Sequence, residues 1–157
     1  MPRHAETRTV PWSADEMFAL VADVARYPEF LPWTAAARIR SRRKEGAVEV
    51  MEADLVISFK VFRERFGSRV TLRPEEGVIE TEYLDGPFRY LRSEWRFRDL
   101  PEGGSEVSFF VDFEFRNAIL QKVIGVVFNE AMQRVVAAFE RRATELYGPG
   151  RAAAGMS

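Results

Sequence analysis

The sequence predicts an α+β domain in which a one-sided antiparallel sheet is covered by a long C-terminal helix, helped by two short helices after the first strand. Three observations predict it. Residues 117–147 place apolar side chains such as Leu120, Ile124, Val127, Ala131, Val135 and Ala138 at near-3.6 spacing, over a run too long for a strand. Residues 35–114 alternate apolar and charged side chains between turn signals, the period of a sheet with one wet face. A half-apolar sheet needs a cover, and no other segment is left to supply it.

Taken in order, residues 3–10 alternate and read as a first strand. Ser13 and Glu16 then form a capping box, opening a helix from 14 to about 25 whose apolar face is Phe18, Val21, Ala22 and Val24. Pro28 and Pro32 forbid a long helix next but leave room for one short turn between them, and Tyr27, Phe30, Leu31 and Trp33 crowd this stretch with large apolar groups. About six strands follow, punctuated at 44–46, 74–77, 85–87 and 101–104. Parity places Phe62, Phe66, Ser68, Val70 and Leu72 on the inner face, with Ile79, Thr81 and Tyr83, then Leu91, Ser93, Trp95 and Phe97, then Val107, Phe109, Val111, Phe113 and Phe115. The alternate positions are mostly Arg, Glu and Asp. Asn117 caps the last helix, Gly148 and Pro149 stop it, and at about 1.5 Å per residue it spans roughly 45 Å.

A chain of 157 residues with 46% hydrophobic and 13% aromatic content suits a single domain, 1–147, with a Gly/Ala-rich tail at 148–157 expected to be disordered. The net charge of −1 gives no global attraction to nucleic acid or anionic lipid. With no cysteine there is neither disulfide framework nor thiolate chemistry, which fits a reducing compartment. No signal-like run and no stretch of about 18 apolar residues occurs, so the expectation is a cytoplasmic protein, at most peripheral at the inner membrane. His4 is the single histidine, without the partners that a triad or metal site needs, and is expected at the surface. Carboxylates alternate with Arg on the wet face as cross-strand ion pairs, and no phosphate-binding glycine loop exists, so no catalytic or metal residues are assigned.

The order and spacing of YPEFLPW (27–33), SRV (68–70), DGPF (85–88), SEWRF (93–97) and FFVDFEF (109–115) resemble the coenzyme Q-binding, START-like proteins of the polyketide cyclase/dehydrase superfamily, whose bacterial members are also called ribosome-association toxin-like. The resemblance covers about residues 3–147. It implies a helix-grip (START/Bet v-like) fold, a curved sheet round the long helix with an apolar cavity between, and non-catalytic binding of ubiquinone in support of respiratory electron transfer.

On that basis the candidate ligand contacts are Phe62, Phe66, Ser68, Tyr83, Trp95 and Phe113 on the sheet, Phe88 in DGPF, and Tyr27, Phe30, Leu31 and Trp33 in YPEFLPW. Val123, Val127 and Phe128 join them from the unusually apolar first third of the helix, where Gly125 allows close approach of a ligand, a loop or a second subunit. Inner hydroxyls of Ser68, Thr81, Tyr83 and Ser93 can orient a quinone's oxygens or be satisfied by backbone. The aromatic loops read as a cavity mouth or as a satellite core. Arg38, Arg40, Arg42, Arg43 and Lys44 are a candidate contact for a membrane or ribosomal RNA, or charges that guard a strand edge. The alternatives in function are docking on the large ribosomal subunit and a cyclase-like enzyme using Glu64 or Tyr83, with Glu64 otherwise at a bulge or rim.

Overall fold

The computed structural model describes residues 3–59 and 62–148. Strands β1 (Arg3–Val10), β2 (Thr34–Glu45), β3 (Val48–Phe59), β4 (Phe62–Arg73), β5 (Val78–Asp85), β6 (Phe88–Asp99) and β7 (Ser105–Phe115) form one antiparallel sheet in the order β1-β7-β6-β5-β4-β3-β2. Helix α1 (Ala14–Ala22), a 3-10 helix (Val24–Glu29) and helix α2 (Ala118–Tyr147) cover its concave face. Register shifts on β2, β5 and β6 mark bulges, which bend strands and let the sheet curl. Opposite the β5 bulge, a Cβ on Gly67 of β4 would lie 2.5 Å from the Arg40 guanidinium, so glycine lets that ion pair cross the strand.

Local chemistry sets the helix ends. Ser13 Oγ accepts from Glu16 N–H at 3.1 Å while Glu16 Oε1 accepts from Ser13 N–H at 3.0 Å, the reciprocal capping box. Met17, Leu20 and Val21 of α1 are buried, each contributing about 1.5–3 kcal/mol by leaving water. The helix stops at Ala22 rather than running to 25, and the short turn expected between the prolines instead precedes and includes Pro28. Proline disfavours the α conformation just before it, and the Tyr27 hydroxyl takes the Val21 carbonyl left free by the break.

Asn117 Oδ1 accepts from the N–H groups of Ile119 (2.9 Å) and Leu120 (3.0 Å), starting α2 as expected. Its far end is anchored by Trp12 Nε1–H donating to Gly148 O at 3.0 Å and the Tyr147 hydroxyl donating to Glu16 O at 3.0 Å. Between these anchors α2 makes its main contacts with β1, β7 and α1, and the 3-10 helix packs on β2. The roof therefore meets the sheet at both flanks and leaves a space over the middle strands. The expected tail lies, beyond Gly148, outside the described residues.

His4 is not on the surface. It is buried on the face of β1 turned toward α2, between the rings of Phe109 and Phe128, and its Nε2 lies 2.6 Å from Glu6 Oε1. The first strand's polar side is thus the side that α2 covers, and Glu6, Arg8 and Glu140 continue the network, with Arg8 2.9 Å from Glu140.

Candidate ligand-binding cavity

The space under the roof encloses about 260 Å³, room for roughly nine waters. Its floor is the inner parity of five strands: Leu55 and Ile57; Phe66, Ser68 and Val70; Ile79 and Thr81; Leu91, Ser93 and Trp95; Phe109, Val111 and Phe113. Ile124, Ala131, Met132, Val135 and Phe139 of α2 form the roof, and Val21, Val24, Tyr27 and residues 31–34 form one side. Trp95 is fixed between Phe109, 4.4 Å away centroid to centroid, and the edge of Phe139 at 5.0 Å. Tyr27 also meets Phe139 edge-on at 5.4 Å. A side pocket of about 40 Å³ shares Ile57, Phe59, Phe66, Phe88, Phe115 and Ile124 with the main cavity and adds Phe62, Glu64 and Leu120, forming a neck beside the β3–β4 hairpin.

Polar groups on the wall are few and neutral. Ser68, Thr81 and Ser93 cross the floor as a band, with Thr81 directly opposite Ser93 on β6 and opposite Val70 on β4, two residues from Ser68. None of these hydroxyls has a side-chain hydrogen bond among the described residues. Burial, aided by the charge of Asp23, pushes the Tyr27 phenol well above its usual value, so this group stays protonated and donates to Val21 O. Trp33 is the one non-glycine residue with positive φ among the described residues, at 62°, a costly backbone state held by its carbonyl accepting from Ser58 N–H at 2.8 Å. Its ring stands edge-on to Phe59 at 5.7 Å, at the side of the cavity where β2 begins.

Of the residues singled out from sequence, Tyr27, Leu31, Trp33, Phe66, Ser68, Phe88, Trp95 and Phe113 lie on the cavity wall. Six others do not. Phe30 is held from outside by Phe139, 5.3 Å away, and the Arg142 guanidinium at 5.2 Å. Phe62 lines the neck alone. Tyr83 spends its hydroxyl accepting from Phe88 N–H at 3.1 Å, closing the turn before β6. Phe128 packs between His4 and Phe113, 5.1 Å from the latter. Val123 and Val127 are half-exposed beside the roof, because the helix turns Ile124 inward instead. A Cβ at Gly125 would meet nothing within 4 Å among the described residues, neither loop nor core.

Sequence reasoning missed Ile124, Ala131, Met132, Val135 and Phe139 as lining; their common helical stripe was visible, but not which part of it faces a void. Glu64 has inner parity opposite Ile57, yet is exposed at the neck, the rim position. The basic stretch sits on the edge strand β2, and three of its members are spent on carboxylates: Arg40 on Asp54 and Asp85, Arg42 on Glu49 at 3.5 Å, Arg43 on Glu45 at 2.6 Å. Arg38 and Lys44 have no ion pair among the described residues. Hydrogen bonds from Arg40, outweighing desolvation, hold the Asp54 carboxyl below its usual range.

The sequence profile described as polyketide cyclase / dehydrase and lipid transport matches residues 10–140. The chain belongs to this family. Among its relatives, the ribosome association toxin RatA of Rickettsia prowazekii is 39% identical over 144 residues, covering 89% of this chain and 94% of that protein. The mitochondrial coenzyme Q-binding protein COQ10 homolog B of Xenopus laevis is 30% identical over 149 residues, covering 92% of this chain and 59% of the frog protein. A START superfamily protein from Mycobacterium smegmatis superposes with a TM-score of 0.74 at 20% identity, covering 92% of this chain and 98% of that one. Polyketide cyclase / dehydrase and lipid transport proteins of this START-like class share the helix-grip architecture described above, so the expected fold is the observed one. Among the described residues no helix is long and apolar enough to cross a membrane, and no group of three or more His, Cys, Asp or Glu is arranged to hold a metal.

Proposed function

We propose that this protein binds a neutral, mostly apolar small molecule bearing hydrogen-bond acceptors, a ubiquinone-type ring with its first isoprenoid, and carries or chaperones it without chemical change in support of respiratory electron transport. The observation that carries this reading is an apolar cavity whose described lining is crossed by hydroxyls with no partner among the described residues and includes no charged group. Burial of ligand surface supplies about 25 cal/mol per Å², and Ser68, Thr81 and Ser93 supply donors for carbonyl or methoxy oxygens. A charged head group would find no counter-ion among the described lining residues, at a cost of several kcal/mol or more, which argues against fatty acids and phospholipids. The volume of about 260 Å³ lies just under the usual range for small-molecule sites, so a ring fits whereas a long polyisoprenoid must leave through the neck. Acid–base catalysis is disfavoured on the same geometry. Tyr27 is engaged with backbone, Tyr83 closes a turn and Glu64 stands at the rim. Native purification, organic extraction and mass spectrometry test the proposal, and persistent absence of any quinone or lipid, with no binding of added ubiquinone, would sink it.

A second reading, favoured by the ribosome-association name of the Rickettsia relative, is docking on the ribosome, here proposed to be on the large subunit so that subunit joining is hindered. Here the unpaired Arg38 and Lys44 on the exposed edge strand are the contacts to test. Salt-sensitive cosedimentation with ribosomes, lost on Arg38→Ala with Lys44→Ala, is its signature; unaltered subunit profiles on overexpression count against it.

A further inference from the structure

The first turns of α2 carry an apolar stripe that no part of the described chain covers. Ile119 is 70% and Val126 83% exposed, and the half-exposed Val123 lies between them at helical spacing. This stripe is continuous with the cavity neck, because Leu120 and Ile124 of the same turns line it. Along these helix turns the charge is one-signed. Between Glu114 and Glu130 the sequence has no acid but contains Arg116 and Lys122, and neither has an ion-pair partner among the described residues. On the hairpin across the neck, Arg63 is likewise exposed and unpaired among the described residues, offset there by the exposed Glu64 carboxylate that lines the neck. The later half of the same helix is different: Arg134 pairs with Glu130 at 3.2 Å, and Glu140 with Arg8 at 2.9 Å. One end of α2 thus has the surface of an ordinary water-facing helix, while the other combines exposed valine and isoleucine with flanking cations, the pattern of a helix lying in a lipid interface.

We propose that the first turns of α2 and the adjacent neck dock on an anionic bilayer surface, so that the cavity opens onto lipid. Docking goes beyond the ligand reading and can be tested apart from it. The 157-residue protein is cosedimented with vesicles of phosphatidylcholine alone and of equal parts phosphatidylcholine and phosphatidylglycerol. Binding is expected to the mixed vesicles, and to weaken with salt. Val126→Asp should reduce partitioning more than about tenfold, and Arg116→Ala or Lys122→Ala roughly fivefold each at low salt. Because Val126 is off the cavity wall and exposed, V126D should keep its fold by circular dichroism and its affinity for a short-chain quinone in solution. Wild-type protein that ignores mixed vesicles, or a V126D variant that partitions like wild type, overturns the proposal. So does a stable dimer in sedimentation velocity that V126D dissociates without any vesicle binding, which would assign the stripe to a second copy. Vesicle binding without quinone binding would refute the ligand reading and leave docking standing.

Discussion

Removing the hydroxyl band separates a ligand-orienting role from a structural one. The perturbation is the triple variant Ser68→Ala, Thr81→Val, Ser93→Ala, which deletes three oxygens from the cavity floor and keeps its shape nearly constant. These hydroxyls bond to no other group of the described chain, so their loss breaks nothing in the empty protein, and the melting temperature should stay level or rise. With ligand bound, each hydroxyl that donates to a quinone oxygen contributes about 1 kcal/mol, or roughly fivefold in affinity. Two or three such bonds predict a loss of roughly one to two orders of magnitude in the triple variant. Trp95 on the wall and Trp33 at its side provide the assay, since a bound quinone quenches their fluorescence. Affinity unchanged within a factor of about two would refute the assignment of the band to head-group recognition. A large fall in melting temperature would show instead that the hydroxyls hold the sheet.

Three further outcomes follow from the geometry. Gly125→Ala should stabilise the protein by about 0.5–1 kcal/mol in urea unfolding, because the added Cβ meets nothing and helical glycine is costly. Ser13→Ala removes one half of the capping box and should cost about 1 kcal/mol in the same measurement. Burial raises the Glu6 pKa, but hydrogen bonds from His4 and Arg8 outweigh it and hold the carboxyl below its ordinary 4.5; its stabilisation is present above that value and lost as pH falls through the lower folded one. Glu6→Gln should therefore be less stable than wild type at neutral pH, with the difference shrinking as pH falls below the ordinary carboxylate value, and a difference that does not change with pH would contradict this.

Much of the molecule was legible because its periodicities are local. Alternation assigned Phe66, Ser68, Trp95 and Phe113 to the inner face, since a pleated strand sends every second side chain to one side regardless of its partners. The two caps, at Ser13 and Asn117, were legible for the same reason: the donors they satisfy lie within three residues. His4 was misplaced because its burial depends on Phe128 and Asn129, more than 120 residues away in sequence, and a lone polar residue on a first strand carries no local sign of that. For the basic stretch the edge-strand reading fits its place on β2, but its ion pairs were not legible because the carboxylates Asp54, Asp85 and Glu49 come from other strands.

What the chain order alone determined is therefore the architecture: one apolar sheet face, one long amphipathic helix, and the need of each for the other. Only the tertiary structure decided where they fail to touch. Because α2 is pinned at its far end by Trp12 and Tyr147 and rests mainly on β1 and β7, the roof stands partly off the middle strands, and Ile124, Met132 and Val135 line a void while Phe139 bridges to Trp95 at its edge. The hydrophobic pattern of a helix is the same over a cavity as over a core, since both reward removal from water. The difference lies in the distance between the layers, which long-range anchors set.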